Sequence, residues 1–100
     1  MDVTVRLVNQ TGMALELLLV DLPFRLEEQI PVGQTITLEL KPTNYGFRAK
    51  ADDGSGSYCG SEGAMVLRRS EGWIFSVQYT DTGSPSLRWQ RNSLADAAGP

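Results

Sequence analysis

Apolar residues recur at every second position through most of the chain, and no stretch repeats them at helical spacing. Val3, Val5 and Leu7 alternate with Thr4 and Arg6; Met13, Leu15, Leu17 and Leu19 follow; Ile36, Leu38 and Leu40 alternate with Thr35, Thr37 and Glu39. Tyr45, Phe47 and Ala49 share a face, as do Trp73, Phe75, Val77 and Tyr79, and then Leu87 with Trp89. Successive side chains of an extended strand point to opposite faces, so this is the period of half-buried strands. Turn formers separate the runs at residues 9–12, 41–44, 70–72 and 81–85. Seven or eight short strands at roughly ten-residue spacing predict an all-β antiparallel sandwich. One domain over residues 1–90 is expected, with residues 91–100 a tail that has no core face. The piece from Asp21 to Gly33, broken by Pro23 and Pro31, reads as less regular. Leu18 and Val20 give the run MALELLLV a second apolar face, as for a strand covered on both sides or meeting a partner.

The chain of 100 residues has a net charge of −3. That balance argues against broad nucleic-acid binding, which needs a basic face to displace counterions. Histidine is absent, which removes the usual base near neutral pH and the commonest metal ligand. Nucleophile activation by histidine is therefore excluded within the chain. The single cysteine, Cys59, allows no internal disulfide, so the fold rests on packing. No basic segment followed by an apolar run opens the sequence, and Leu17 to Val20 is far too short to cross a bilayer. These features lead us to expect a cytoplasmic chain or one released without a classical signal. Asn9-Gln10-Thr11 fits the glycosylation sequon, which has little meaning without a secretion signal.

The stretch GSGSYCGSEG at residues 54–63 suggests a phosphate cradle at first sight. A P-loop needs a lysine at its end, and none lies here; a dinucleotide fingerprint needs a third glycine where Cys59 stands. Asp52, Asp53 and Glu62, with Ser55 and Ser57, supply oxygens for a minority calcium reading, although the spacing is not that of an EF-hand. The simpler reading is a hairpin turn begun by Asp53-Gly54, then a flexible connection in which Cys59 is a small semi-buried hydrophobe. The acidic pairs Asp21 with Glu27 or Glu28, and Asp52 with Asp53, could serve as an acid and a base, but adjacent acids on a strand point to opposite faces and acidic turns are common without function. No enzyme, no cofactor and no catalytic residue is expected.

Trp73, Tyr79 and Trp89 are residue types that either fill a core or line a surface that is apolar at one end and wet at the other. Arg68 and Arg69 precede Trp73 and supply donors for phosphate groups. Adjacent strand residues face opposite ways, so at most one of the two arginines shares a given face.

Several pieces together resemble the aegerolysin and actinoporin-like β-sandwich proteins. They are VRLVNQTG, QIPVGQTITLEL, GSEGAMVLRR and WIFSVQYTDTGSP, spread over residues 3–89. The pattern is a strand ending in Asn-x-Thr-Gly, an Ile-Pro-x-Gly turn, a glycine-acid-glycine turn, and an aromatic strand entering a proline-containing loop. The chain is shorter than typical members and shows no amphipathic N-terminal helix of the kind actinoporins use to line a pore. What the resemblance implies is a sandwich that binds a membrane surface or a polar lipid headgroup. Trp73, Tyr79, Trp89, Arg68 and Arg69 are the residues expected to do so. Two further readings are open: a protein-assembly module, self-associating or partner-binding through MALELLLV and WIFSVQYT, and a carbohydrate-binding module in which a tryptophan stacks on a sugar.

Overall fold

A computed structural model describes residues 1–54 and 58–95, with the backbone alone at Tyr58. Eight strands account for most of it: β1 Val3–Gln10, β2 Ala14–Asp21, β3 Phe24–Ile30, β4 Thr35–Leu40, β5 Asn44–Asp52, β6 Tyr58–Val66, β7 Glu71–Tyr79 and β8 Pro85–Asn92. They form two four-stranded sheets, ordered β4-β1-β7-β8 and β3-β2-β5-β6, which we label A and B. The inward residues are those the alternation marks. Val5, Leu7, Trp73, Phe75 and Leu87 from sheet A meet Leu15, Leu17, Leu19, Phe47, Ala49 and Met65 from sheet B in one core.

The arrangement is sandwich-like, but not purely antiparallel. β1 runs parallel to β7, with Leu7 beside Trp73, while the other five strand pairs are antiparallel. The cause is topological. The chain crosses between sheets after β1, β3, β4 and β6, so β7 arrives at sheet A running the same way as β1. Hairpin connections would have given antiparallel neighbours; a crossover permits either direction.

Three further expectations are corrected. The irregular piece contains a seven-residue edge strand, β3, whose charges Arg25, Glu27 and Glu28 mask its pattern. The glycine-rich stretch is largely β6, paired with β5 from Tyr58 opposite Asp52 to Val66 opposite Asn44. Its small residues suit the place, since Gly63 lies against Phe47, whose ring carbon would be 3.5 Å from a Cβ there. The tail begins later than residue 91: Arg91 and Asn92 belong to β8, and Leu94 O accepts a hydrogen bond from Arg6 Nη1 at 2.9 Å. Residues 96–100 lie outside the described residues.

The sandwich has two different ends. One carries the β1–β2, β3–β4, β5–β6 and β7–β8 connections, and each holds a glycine of positive φ at position 12, 33, 54 or 83. This glycine end is tied by Asn9, which is 1% exposed. Its Nδ2 donates to Met13 O at 2.7 Å and Ile30 O at 2.9 Å, and its Oδ1 accepts from Thr11 N at 3.1 Å and Thr11 Oγ1 at 2.6 Å. Two connections that cross between the sheets bury backbone groups here, and buried backbone groups require partners. One amide side chain satisfies both connections. The amide of the Asn9 sequon is enclosed and fully engaged, so it is not presented as a glycan acceptor in the folded chain.

Candidate functional site

The structure disperses the residues that the sequence groups together. Trp73 is 0% exposed, and its Nε1–H donates to Glu71 Oε1 at 2.8 Å. Glu71 is itself buried and also accepts from Arg91 Nε at 2.9 Å, while Arg91 Nη2 donates to Val66 O at 2.7 Å. This cluster joins the ends of β6 and β8 at Val66 and Arg91. Trp89 is half-buried; its ring stands edge-on to Phe47 with centroids 5.2 Å apart and to Trp73 at 6.5 Å. Trp73 as a surface contact is therefore corrected: it fills the core, because it faces inward from a central strand.

Tyr79 is 64% exposed at the glycine end, where β7 leaves the core. Arg68 and Arg69 are exposed at the opposite end, ahead of β7. A nine-residue strand separates them, about 30 Å of extended chain. One surface of aromatic residues with the arginine pair does not exist. The calcium grouping also separates. Glu62 pairs with Arg48 at 3.3 Å in mid-strand, four rungs from the level of Asp52. Asp52 Oδ1 instead accepts from Gly54 N at 2.8 Å, as expected of a turn-forming aspartate. Ser55 and Ser57 lie outside the described residues, and among the described residues no group of three acidic, cysteine or histidine side chains is placed to hold a metal.

Cys59 faces inward opposite Ala51, and burial pushes its thiol above the ordinary value of 9.0. At pH 7 alkylation of native Cys59 by iodoacetamide is expected to be slower than in the urea-unfolded chain. The gap should narrow as pH rises through the raised value, because the thiolate is the nucleophile. Equal rates in both states at neutral pH would contradict this burial.

The surface that does gather chemistry is the end opposite the glycine turns. There the two-residue tip between β2 and β3 holds Leu22, 81% exposed, followed by Phe24, 39% exposed. Met1 projects from the same end. Phe24 is supported from beneath by Tyr45, edge-on at 5.7 Å. Tyr45 OH donates to Lys41 O at 2.5 Å, which fixes the connection between β4 and β5. Burial first, then the charges of Asp21 and Asp2, push the Tyr45 hydroxyl above its ordinary value of 10.0, so it remains a neutral donor. A cleft of about 530 Å³ lies among Asp2, Asp21, Phe24, Glu39, Lys41 and Tyr45. Lys41, Arg68 and Arg69 give this end three exposed cations, alongside the carboxylates of Asp2, Asp21 and Glu39 that line the cleft. The β6–β7 connection that bears the arginines is held to β1, since Thr4 N donates to Ser70 Oγ at 2.9 Å.

Sequence reasoning missed Leu22 and Phe24. The available signal was apolar residues on both sides of Pro23 in a piece bounded by Asp21 and Arg25, because a hairpin tip cannot bury what it carries. A second groove, of about 840 Å³, lies at the glycine end among Met13, Ala14, Pro31, Val32, Lys50 and Asp53.

No family model and no curated protein matches the chain. Among solved structures it is similar to the NMR structure of a protein from Eubacterium rectale, with a TM-score of 0.58 and 10% identity. The likeness covers 87% of this chain and 86% of that one. At that identity it shows the fold alone.

Proposed function

We propose that the protein is a non-catalytic recognition module that binds a membrane surface or a polar lipid headgroup. The observation that carries this reading is the single end of the sandwich on which Met1, Leu22 and Phe24 stand exposed with Lys41, Arg68 and Arg69. Exposed apolar side chains on a supported tip enter the headgroup boundary, and nearby cations meet anionic lipids. The resemblance to aegerolysin and actinoporin-like sandwiches implies the same class of partner. The contact residues are those at this end, with Arg68 and Arg69 retained and Trp73, Trp89 and Tyr79 replaced by Met1, Leu22 and Phe24.

Co-sedimentation with phosphatidylcholine vesicles, with and without phosphatidylserine, tests it. Binding is expected to favour the anionic vesicles and to fall with salt. Reversing both Arg68 and Arg69 to glutamate should weaken binding by at least roughly thirtyfold, at about 1 kcal/mol for each basic residue near the surface. Leu22→Ser should weaken it to every vesicle class while leaving the thermal midpoint unchanged. Absence of binding to all vesicles at low and physiological salt would end the reading.

A further inference from the structure

Strand β6 is a sheet edge without the usual guards. β3 carries three charges along its length, and β8 opens on Pro85 and carries Arg88 and Arg91. β6 has nine residues, one charge, and only glycine or alanine at positions 60, 63 and 64. Edges of that kind pair with other strands unless blocked. Two hydrogen bonds tell which of its backbone groups are open. Leu67 N donates to Thr43 O at 2.9 Å, so the odd-numbered positions face β5. Val66 O points the other way and accepts from Arg91 Nη2 at 2.7 Å. Alternate residues of a strand turn their N–H and C=O to opposite sides. Tyr58, Gly60, Glu62 and Ala64 therefore present theirs to the open edge, and Arg91 ends the open run at Val66.

We infer that this edge is a self-association surface, on which β6 of a second copy of this chain pairs antiparallel and extends sheet B from four strands to eight. The four open positions are symmetric about Ser61. A two-fold axis there sets Gly60 opposite Glu62 of the second copy and Tyr58 opposite Ala64, and it uses each open position once. The charges agree with this register. Lys50 stands opposite Gly60 on β5, and a Cβ at Gly60 would lie 3.8 Å from Lys50 Cγ. The Lys50 stem thus lies along a residue with no side chain of its own, and Lys50 forms no ion pair among the described residues. In the pairing, Glu62 of each copy keeps its Oε2 on its own Arg48 at 3.3 Å and comes beside Gly60 of the other copy, with its Oε1 within reach of that copy's Lys50, twice by symmetry. An axis at Glu62 would instead set like charges against each other, and an axis at Gly60 would set Ala64 opposite position 56, outside the described residues.

The test is solution mass by sedimentation equilibrium over a wide dilution series of the full chain. The mass is expected to move from twice 11.0 kDa toward 11.0 kDa on dilution. Ala64→Pro removes an open N–H and points its ring into the interface; it should be monomeric throughout, with the thermal midpoint that the wild type has at dilutions where it is monomeric. Lys50→Glu and Glu62→Lys should each weaken the dimer roughly tenfold, and the double exchange should restore it. Ser61→Cys in a Cys59→Ala background places two thiols at a non-hydrogen-bonded pair, about 4.5 Å between Cα atoms, within disulfide range. It should form a crosslinked dimer in air. A wild-type mass of 11.0 kDa at every concentration, a dimer that survives Ala64→Pro, or a dimer that fails to crosslink at position 61 would each overturn the inference.

Discussion

Replacing Trp73 with alanine is expected to lower the unfolding free energy by about 4 kcal/mol. The side chain has no exposed surface and stands in the middle of the core, facing Trp89. Its removal opens a cavity between two sheets whose strands are held by their own ladders and cannot close fully on it. It also takes away the indole N–H that donates to Glu71. For a domain of this size the thermal midpoint should fall on the order of 20 °C. Trp73→Phe keeps most of the volume and loses the donor, so it should cost less than half as much, because Arg91 still pairs with Glu71. Urea unfolding followed by far-ultraviolet circular dichroism measures both. A loss under about 1 kcal/mol for Trp73→Ala would contradict the core placement.

The second large effect is expected at Asn9. Asn9→Ala takes the acceptor from Thr11 N and a donor from Ile30 O in a buried turn, and leaves Met13 O only the Thr11 hydroxyl at 3.0 Å. The penalty for leaving buried backbone groups unpaired sums to about 3 kcal/mol here. Asn9→Asp has nearly the same shape but turns an acceptor toward three carbonyl oxygens, those of Met13, Ile30 and Pro31, so it should destabilise at least as much at neutral pH. Amide exchange gives a second readout. The N–H of Asn9, which donates to Gln34 O at 3.0 Å, should lose protection in both variants as the two crossing connections loosen. If Asn9→Ala were as stable as the wild type, the amide would not be what joins those connections.

Much of the fold was legible because the alternation is a direct record of which side of a sheet a residue occupies. Val5, Leu7, Leu15, Leu17, Leu19, Phe47, Trp73 and Phe75 are all inward, as their period requires. Where legibility failed, another influence hid or outweighed the period. The charges of β3 belong to an edge, and the glycines of β6 belong to a strand whose neighbour supplies the bulk. The parallel β1–β7 pair was invisible because residue periodicity carries no information on partner or direction. The surface residues were misassigned for a related reason. Trp73, Arg68 and Tyr79 are close in sequence order, but an extended strand carries its ends far apart, and adjacent positions on it are not a site. Leu22 and Phe24 went unnoticed because two apolar residues around a proline have no period to reveal them.

The partnership of β1 with β7 also bears on when the protein acquires its structure. Leu7 leaves the ribosome 66 positions before Trp73, the residue beside which it finally lies. At usual rates of synthesis that is a wait of about 3 to 13 s. Until β7 emerges, β1 has only β4 to pair with in sheet A, and Val5 and Leu7 lack half of their eventual surroundings. A chain arrested before residue 71 should consequently remain sensitive to protease along β1, and protection should appear only once β7 has been made.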